Sequence, residues 1–258
     1  MSHERRVVEE FTQQAERFNV APVFTTAETL QALIDFLPLD AAADWLEVAC
    51  GPGIVSRALA PHVGSILGVD LTPAMIEVAT REAGRAGLTN ARFQTGDATA
   101  LDLPAGGLGG AVTRFSLHHM PLPARTVAEM ARVVRPGGWV CLADHVSSPE
   151  VAEIAWHQEI ERLRDPSHWT CLTPAMLRGL GASAGLVLRD ERTLDFSMDF
   201  EEWLSRGSGG PAMRDLMETS LLARPAGILG FRVAPDDQGA RRLHLIYHLS
   251  LWQRPHGG

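Results

Sequence analysis

The sequence contains no lysine; all 23 of its basic residues are arginines. A pyridoxal phosphate Schiff base needs that missing amine, as does the lysine-bearing phosphate loop of many nucleotide hydrolases. Both enzyme classes are therefore excluded. Cysteine is nearly as scarce. Cys50, Cys141 and Cys171 stand far apart, with no Cys-x-x-Cys pair and no Cys/His spacing typical of zinc. Three thiols cannot pair off completely, so a reduced compartment and no metal site are expected. Long apolar runs are missing as well: nothing approaches the roughly 18 residues needed to span a bilayer. The opening MSHERRVVEEFTQQ lacks the apolar centre of a secretory signal. Together these absences lead to the expectation of a cytoplasmic protein without a membrane partner. Positive charge is also in deficit, with a net charge of −8. A basic face covering the molecule, as nucleic acid would require, is not expected.

What is present is a chain of 258 residues, 45% of them hydrophobic, enough for one well-buried core with an embellishment. The first forty residues read as two helices, the second opening with Thr25 and Glu28 at capping-box spacing ahead of Leu30, Leu33 and Ile34. From residue 45 short apolar strands alternate with helices. Strands are expected at Trp45–Cys50, Ser65–Asp70, Ala91–Thr95, Ala111–Phe115 and Trp139–His145, with helices near Ile54–Ala60, Pro73–Ala83 and Ala124–Val133. Thr72-Pro73 is a favourable helix start. Such alternation implies an α/β fold with a parallel sheet covered on both faces. Farther on, Val151–Arg164, Thr173–Ala184 and 200–223 read as helix, and Leu186–Phe196 as extended. The period-two pattern from Arg242 to Trp252 reads as a terminal strand. SRGSGGP at 205–211 reads as a flexible joint or a surface loop.

The first strand runs into a glycine turn, Leu46-Glu-Val-Ala-Cys-Gly-Pro-Gly53, where a ligand can approach the backbone without meeting a Cβ. The next strand ends in Asp70, placed to accept both hydroxyls of a ribose. An adenosine-bearing cofactor follows. A dinucleotide fingerprint wants a third glycine where Ser56 stands. Glu47 would repel a pyrophosphate but suits the ammonium and sulfonium of S-adenosylmethionine. Asp97, after the third strand, can accept from an adenine amino group.

Glu47–Gly53, Gly68-Val-Asp70, Gly96-Asp97-Ala98 and Arg135-Pro-Gly-Gly138 together resemble the successive motifs of class I S-adenosylmethionine-dependent methyltransferases. The stretch Val69–Ile76 is most similar to the ubiquinone/menaquinone-biosynthesis-like C-methyltransferase group. The resemblance is strong over about 40–146 and looser over 150–258. It implies a Rossmann-like three-layer sandwich whose seven-stranded, mostly parallel sheet ends in an antiparallel strand. It also implies an N-terminal helical lid over 1–40 and a cofactor domain over 41–258, with helical substrate-covering segments at about 150–184 and 197–241. Carried over residue by residue, Asp70 would hold the ribose, Leu71 and Met75 would flank the adenine, and Asp97 with the Ala98 amide would read its edge. Glu47, Ala49, Gly51 and Gly53 would lie along the methionine part, and Arg114 would add backbone contacts.

Methyl transfer requires alignment of the nucleophile and, where it is protonated, a base. Ser116-Leu-His-His-Met120 follows the fourth strand, whose end borders the cofactor in this architecture. His118 and His119 are the candidate bases, since imidazole titrates near neutrality; His118 is slightly preferred, and capping or packing is the alternative role for each. His145 is a weaker candidate for touching substrate, and His168 and Trp169 fall in a connection that could form a lid. Tyr247, the single tyrosine, the three cysteines and the charged run His3–Glu10 are read respectively as structural, as buried packing and as a solvated helix face. The acceptor is expected to be a small aromatic, quinone-like or polyketide-like molecule, with carbon slightly favoured over oxygen or nitrogen. The expected partners are that acceptor and at most a second copy of the chain. The alternative reading is a protein that binds the cofactor but performs another step, such as a cyclisation in natural-product assembly.

Overall fold

A computed structural model describes residues 2–20, 28–209, 211–222 and 230–256. The alternation seen in the sequence becomes a sheet with helices on both faces. The strands are β1 Asp44–Val48, β2 Ser65–Asp70, β3 Ala91–Thr95, β4 Leu108–Arg114, β5 Val134–Val146, β6 Val187–Asp199, β7 Arg232–Pro235 and β8 Arg241–Gln253. Their order is β3-β2-β1-β4-β5-β8-β6, with β7 paired to β8. Strands β1 to β5 pair in parallel, and β8 runs antiparallel to both β5 and β6. The expected seven-stranded path with its antiparallel member is therefore present. The short β7 adds an eighth strand as a hairpin on β8.

The helices are α1 His3–Val20, α2 Glu28–Phe36, α3 Ile54–Leu59, α4 Pro73–Arg85, α5 Pro123–Val133, α6 Val151–Arg164, α7 Pro174–Ser183, α8 Phe200–Arg206 and α9 Arg214–Leu222. On one sheet face Leu30, Leu33 and Phe36 of α2 pack with Val55 and Leu59 of α3 against Trp45, Ile66 and Tyr247. On the other, Val127 and Met130 of α5 and Leu177 of α7 pack against Leu46, Val140 and Trp252. The embellishment has its own apolar cluster. Trp156 and Ile160 of α6, Trp203 of α8 and Met217 of α9 close over Phe231, Leu243 and Leu245. Thr25 of the expected capping box lies outside the described residues. Among the described residues, no helix is long and apolar enough to cross a membrane.

Two segments differ from their sequence reading. The 205–211 stretch does separate α8 from α9, but Gly207 and Gly209 are packed tightly against the end of α6. A Cβ at either would drive into the carbonyls of Arg164 or Leu163, and the Gly209 amide donates to the Arg164 carbonyl at 3.0 Å. Glycine serves close packing there rather than flexibility. The run His3–Glu10 is likewise more than a solvated face. Glu10 is buried, and its Oε1 accepts from the Ser208 amide at 2.8 Å.

Candidate active site

Parallel strands deliver their carboxyl ends to one edge of the sheet, and the crossover helices begin there. A cavity opens at that edge. Its floor is the β1 turn (Glu47, Ala49, Cys50, Gly51), one wall is Asp70, Leu71 and Met75 after β2, and another is Asp97 and Ala98 after β3. Arg114, Phe115, Ser116 and His119 after β4 complete it, with His3, Val7 and Phe11 of α1 above. Of the ten residues expected to hold the cofactor, nine line this cavity. Gly53 does not. It caps α3 at φ 76°, and a Cβ there would lie 2.7 Å from Phe93 and 2.9 Å from Ala79. Its job is close packing of α3, the role a dinucleotide fold gives to its third glycine.

Gly51 is the residue at the floor that the turn requires. At φ 50° it occupies the left-handed region, and the nearest atom to an added Cβ is Met75 Sδ at 4.0 Å, so its face stays open. Ala49 and Phe115 sit at φ 54° and 52° without being glycine. Both follow strand ends on the cavity wall, where such strain collects at functional sites.

Two buried carboxylates face the cavity. Asp70 accepts the Gly51 amide at Oδ2 and the Thr72 amide at Oδ1, each at 2.8 Å. Each oxygen keeps a further lone pair for an incoming hydroxyl. Burial raises its pKa against the opposing amide bonds from Thr72 and Gly51. Glu47 is more extreme. Burial pushes it up to about 8, although the hydroxyl and amide of Ser56 and the charge of Arg114 pull the other way. Ser56, whose amide donates to Glu47 Oε2 at 2.7 Å, thus positions that carboxylate. An acid held this way beside a glycine floor fits a cationic amino-acid ligand, and paired acceptors at Asp70 fit a ribose. These residues suit S-adenosylmethionine and would oppose a pyrophosphate. The Arg114 side chain donates to Thr29 Oγ1 at 2.8 Å and lies 4.6 Å over the Phe115 ring.

The histidine pair divides. His119 lines the cavity, whereas His118 lies behind the wall with its Nδ1 2.7 Å from Asp144 Oδ1. The slight preference for His118 is not met by its placement. A 3-10 turn over Leu117–His119 leaves the two rings 4.2 Å apart and places only that of His119 on the cavity. His119 Nδ1 meets the Ser167 carbonyl at 3.2 Å and the Ser167 hydroxyl at 3.1 Å. That hydroxyl is held in turn by Asp165 Oδ1 at 2.6 Å. Burial alone would raise Asp165, but His119, Arg164 and Ser167 outweigh it and hold the carboxyl below its usual range. The carbonyl contact makes Nδ1 the protonated nitrogen and leaves the lone pair on Nε2. Ser167 and Asp165 carry no motif and sit 48 and 46 positions from His119, so only the fold reveals them. His145 and His168 are buried away from the cavity; Trp169 meets the His3 ring at 4.8 Å. The three cysteines are buried and unpaired, with their thiols pushed up by burial, consistent with packing roles.

Comparison with known proteins agrees with this geometry. A family profile described as a methyltransferase domain matches residues 46–142. The chain is 30% identical over 205 residues to the uncharacterized methyltransferase YcgJ of Bacillus subtilis (strain 168), covering 80% of this chain and 81% of that one. The crystal structure of YcgJ superposes with a TM-score of 0.81 at 25% identity, covering 89% of this chain and 99% of the other. A ubiquinone biosynthesis O-methyltransferase of Leptothrix cholodnii is 29% identical over 62% of this chain and 71% of its own length. The [4+2]-cyclase SpnF shares the fold, with a TM-score of 0.63 at 18% identity over 88% and 80% of the two chains.

Proposed function

Because this chain belongs to the class I S-adenosylmethionine-dependent methyltransferases, we propose that it methylates a small aromatic or quinol-like acceptor at a hydroxyl or at the activated carbon beside one. The observation that carries this reading is the cavity itself. It joins a cofactor floor at Glu47, Gly51 and Asp70 to a wall where His119 faces an apolar surround of Phe11, Phe115, Met120 and Leu122. An apolar surround favours a planar, poorly charged acceptor. Ubiquinone-type methylation by a relative supports the same class.

When bound, S-adenosylmethionine supplies an electrophilic methyl group on a sulfonium. The chain's own residues do the rest. Asp70 fixes the ribose end, Leu71, Met75, Asp97 and Ala98 form the adenine slot, and Glu47 with Ala49 and Gly51 receives the amino-acid end. His119 takes the acceptor's proton at Nε2, and Ser167 with Asp165 keeps its ring oriented. Alignment of this kind can contribute about 7–11 kcal/mol in the best models. Helix α1 acts as a lid, since His3, Val7 and Phe11 close the cavity from above.

The test is incubation with methyl-labelled S-adenosylmethionine and a panel of phenols, quinols and enolisable ketones, with product mass and position of label as readouts. Label on oxygen or carbon of an aromatic acceptor is the expected result. Tight cofactor binding with no transfer to any member would sink the reading and favour the cyclisation alternative.

A further inference from the structure

Behind the cavity wall, β5 and α6 gather buried histidines and carboxylates that methyl transfer does not use. His145 is the next-to-last residue of β5, while His157 and Glu161 lie one turn apart on α6, on the same helix face. Each offers one ligand atom, and the three atoms lie within 4.8 Å of one another. All three side chains are buried, His157 completely.

The separation within the group is longer than a hydrogen bond and close to that of two atoms on one ion. His157 Nε2 stands 3.6 Å from Glu161 Oε1, beyond the N–H···O range of about 2.7–3.2 Å. Two atoms sharing a tetrahedral ion at bonds of about 2.0 Å are roughly 3.3 Å apart. Among the described residues, neither ring nitrogen of His157 has a hydrogen-bond partner, nor has Nδ1 of His145. Phe231, whose ring lies 4.1 Å from that of His157, walls the group off on that side. Buried, unpartnered imidazole nitrogens are costly unless something else satisfies them.

The surrounding charge is right for a dication. Asp144, Glu161 and Asp165 are buried with the Arg164 guanidinium, which reaches Glu161 Oε2 at 3.3 Å and Asp165 Oδ2 at 3.7 Å. Arg206, also buried, is matched by Glu202 at 2.9 Å. Arg164 leaves Oε1 of Glu161 to an ion and orients the carboxylate, the usual task of an outer partner. A set of two imidazoles and one carboxylate selects borderline transition metals of the zinc type over magnesium or calcium, which want oxygen alone. His168, whose Nδ1 is likewise unpartnered, flanks the group. The cysteine and histidine spacing along the chain gives no sign of a metal site; eleven residues lie between His145 and His157, and only the fold brings them together.

We propose that His145, His157 and Glu161 bind one divalent transition-metal ion that fastens α6 to the end of β5. So placed, the ion steadies the connection after α6 that carries Asp165 and Ser167, and through them His119. Its role is positional.

The full-length protein, stripped with a chelator and dialysed, should bind one equivalent of Zn2+ by calorimetry and gain thermal stability on binding. With Co2+ it should show the ligand-field absorption of a low-coordinate site, and X-ray absorption should show scattering from two imidazoles. His157→Ala and Glu161→Gln should each weaken Zn2+ binding at least about tenfold, while His248→Ala, a buried histidine on β8 outside the group, should leave it unchanged. Absence of stoichiometric binding to the unaltered protein overturns the proposal. So does equal binding in folded His157→Ala and Glu161→Gln. Should either variant fail to fold, the wild-type cobalt spectrum decides, and a site without imidazole scattering overturns it. None of these readouts depends on methyl transfer, so they stand or fall apart from the proposed activity.

Discussion

Glu47 illustrates how one buried group links the site to pH. Its pKa near 8 in the free protein comes from burial, against Ser56 and Arg114. For a carboxyl raised from 4.5, the stability it contributes is full below pH 4.5 and is lost as pH rises through about 8. Binding a cationic ligand reverses the preference, since the anion is then the favoured form. Cofactor affinity should therefore rise with pH, by up to about tenfold per unit for one proton, and level off above about 8. Calorimetry in buffers of different ionisation enthalpy should record release of up to one proton below that point. Glu47→Gln should flatten the profile; a wild-type profile that is already flat would mean Ser56 keeps the group ionised. Asp70→Ala should weaken the cofactor by about 1.5–3 kcal/mol for each charge-assisted bond lost, measured on the folded variant. The histidines make the sharper contrast. His119→Ala should lower turnover about 10²–10⁴-fold if deprotonation limits the rate, with cofactor affinity nearly intact. His118→Ala should act instead on stability, because it strips a partner from the buried Asp144. Equal loss of turnover with unchanged stability in both variants would defeat the division.

At the level of elements, legibility followed periodicity and punctuation. The bounds Ser65–Asp70, Ala91–Thr95 and Val151–Arg164 read from sequence coincide with β2, β3 and α6, because each has a clear pattern bounded by turn residues. Strand β4 begins at Leu108 rather than Ala111, since Gly109 and Gly110 give no strand signal yet fill a place where a Cβ would strike Ala43 or Trp45. The cavity floor was readable for the same reason as the strands: its residues are local to strand ends. The His119–Ser167–Asp165 chain was not, because it is made by a crossover. The stretch at 205–211 reads from sequence as a joint or a surface loop, and neither reading reveals how Gly207 and Gly209 pack on α6. Their packing has a measurable consequence. Gly209→Ala should destabilise by about 1–3 kcal/mol through overpacking against the Leu163 carbonyl, whereas Gly84→Ala, with open space around its Cβ on α4, should be neutral or stabilising. Denaturant unfolding of both variants tests this; a tolerated Gly209→Ala would restore the flexible-joint reading.

For the whole molecule, the telling feature is how small an apolar cluster ties α1 to the body whose cavity it lines. Its apolar contacts to α4 form one small cluster, in which Phe11, Ala15 and Phe18 meet Ala74, Met75 and Val78. Polar bonds join Glu10 to the Ser208 amide, Arg17 to the Ser205 carbonyl and Asn19 to Arg57. The accompanying ion pair, Arg81 with Glu16 at 2.8 Å, is exposed and such pairs are worth about 0–1 kcal/mol. The same helix presents His3, Glu4, Val7 and Phe11 to the cavity, and His3 Nε2 lies 2.7 Å from the His119 carbonyl. An element held by one small apolar cluster and by polar bonds opens at lower free energy than the sheet, as the proposed lid would have to do to admit the cofactor. Met75 joins the two roles, since it lines the cavity and also packs under Phe11 and Ala15. Filling the cavity should therefore stabilise α1 more than any other helix. Amide hydrogen exchange should be fast along α1 in the free protein and slow markedly with saturating S-adenosylhomocysteine, while exchange in β1 and β4 stays slow in both. A chain shortened to begin at residue 28 should keep its sheet by circular dichroism but bind the cofactor more weakly. Exchange in α1 that is slow from the outset and indifferent to ligand would show a fixed wall, and the acceptor would then have to enter by another edge of the cavity.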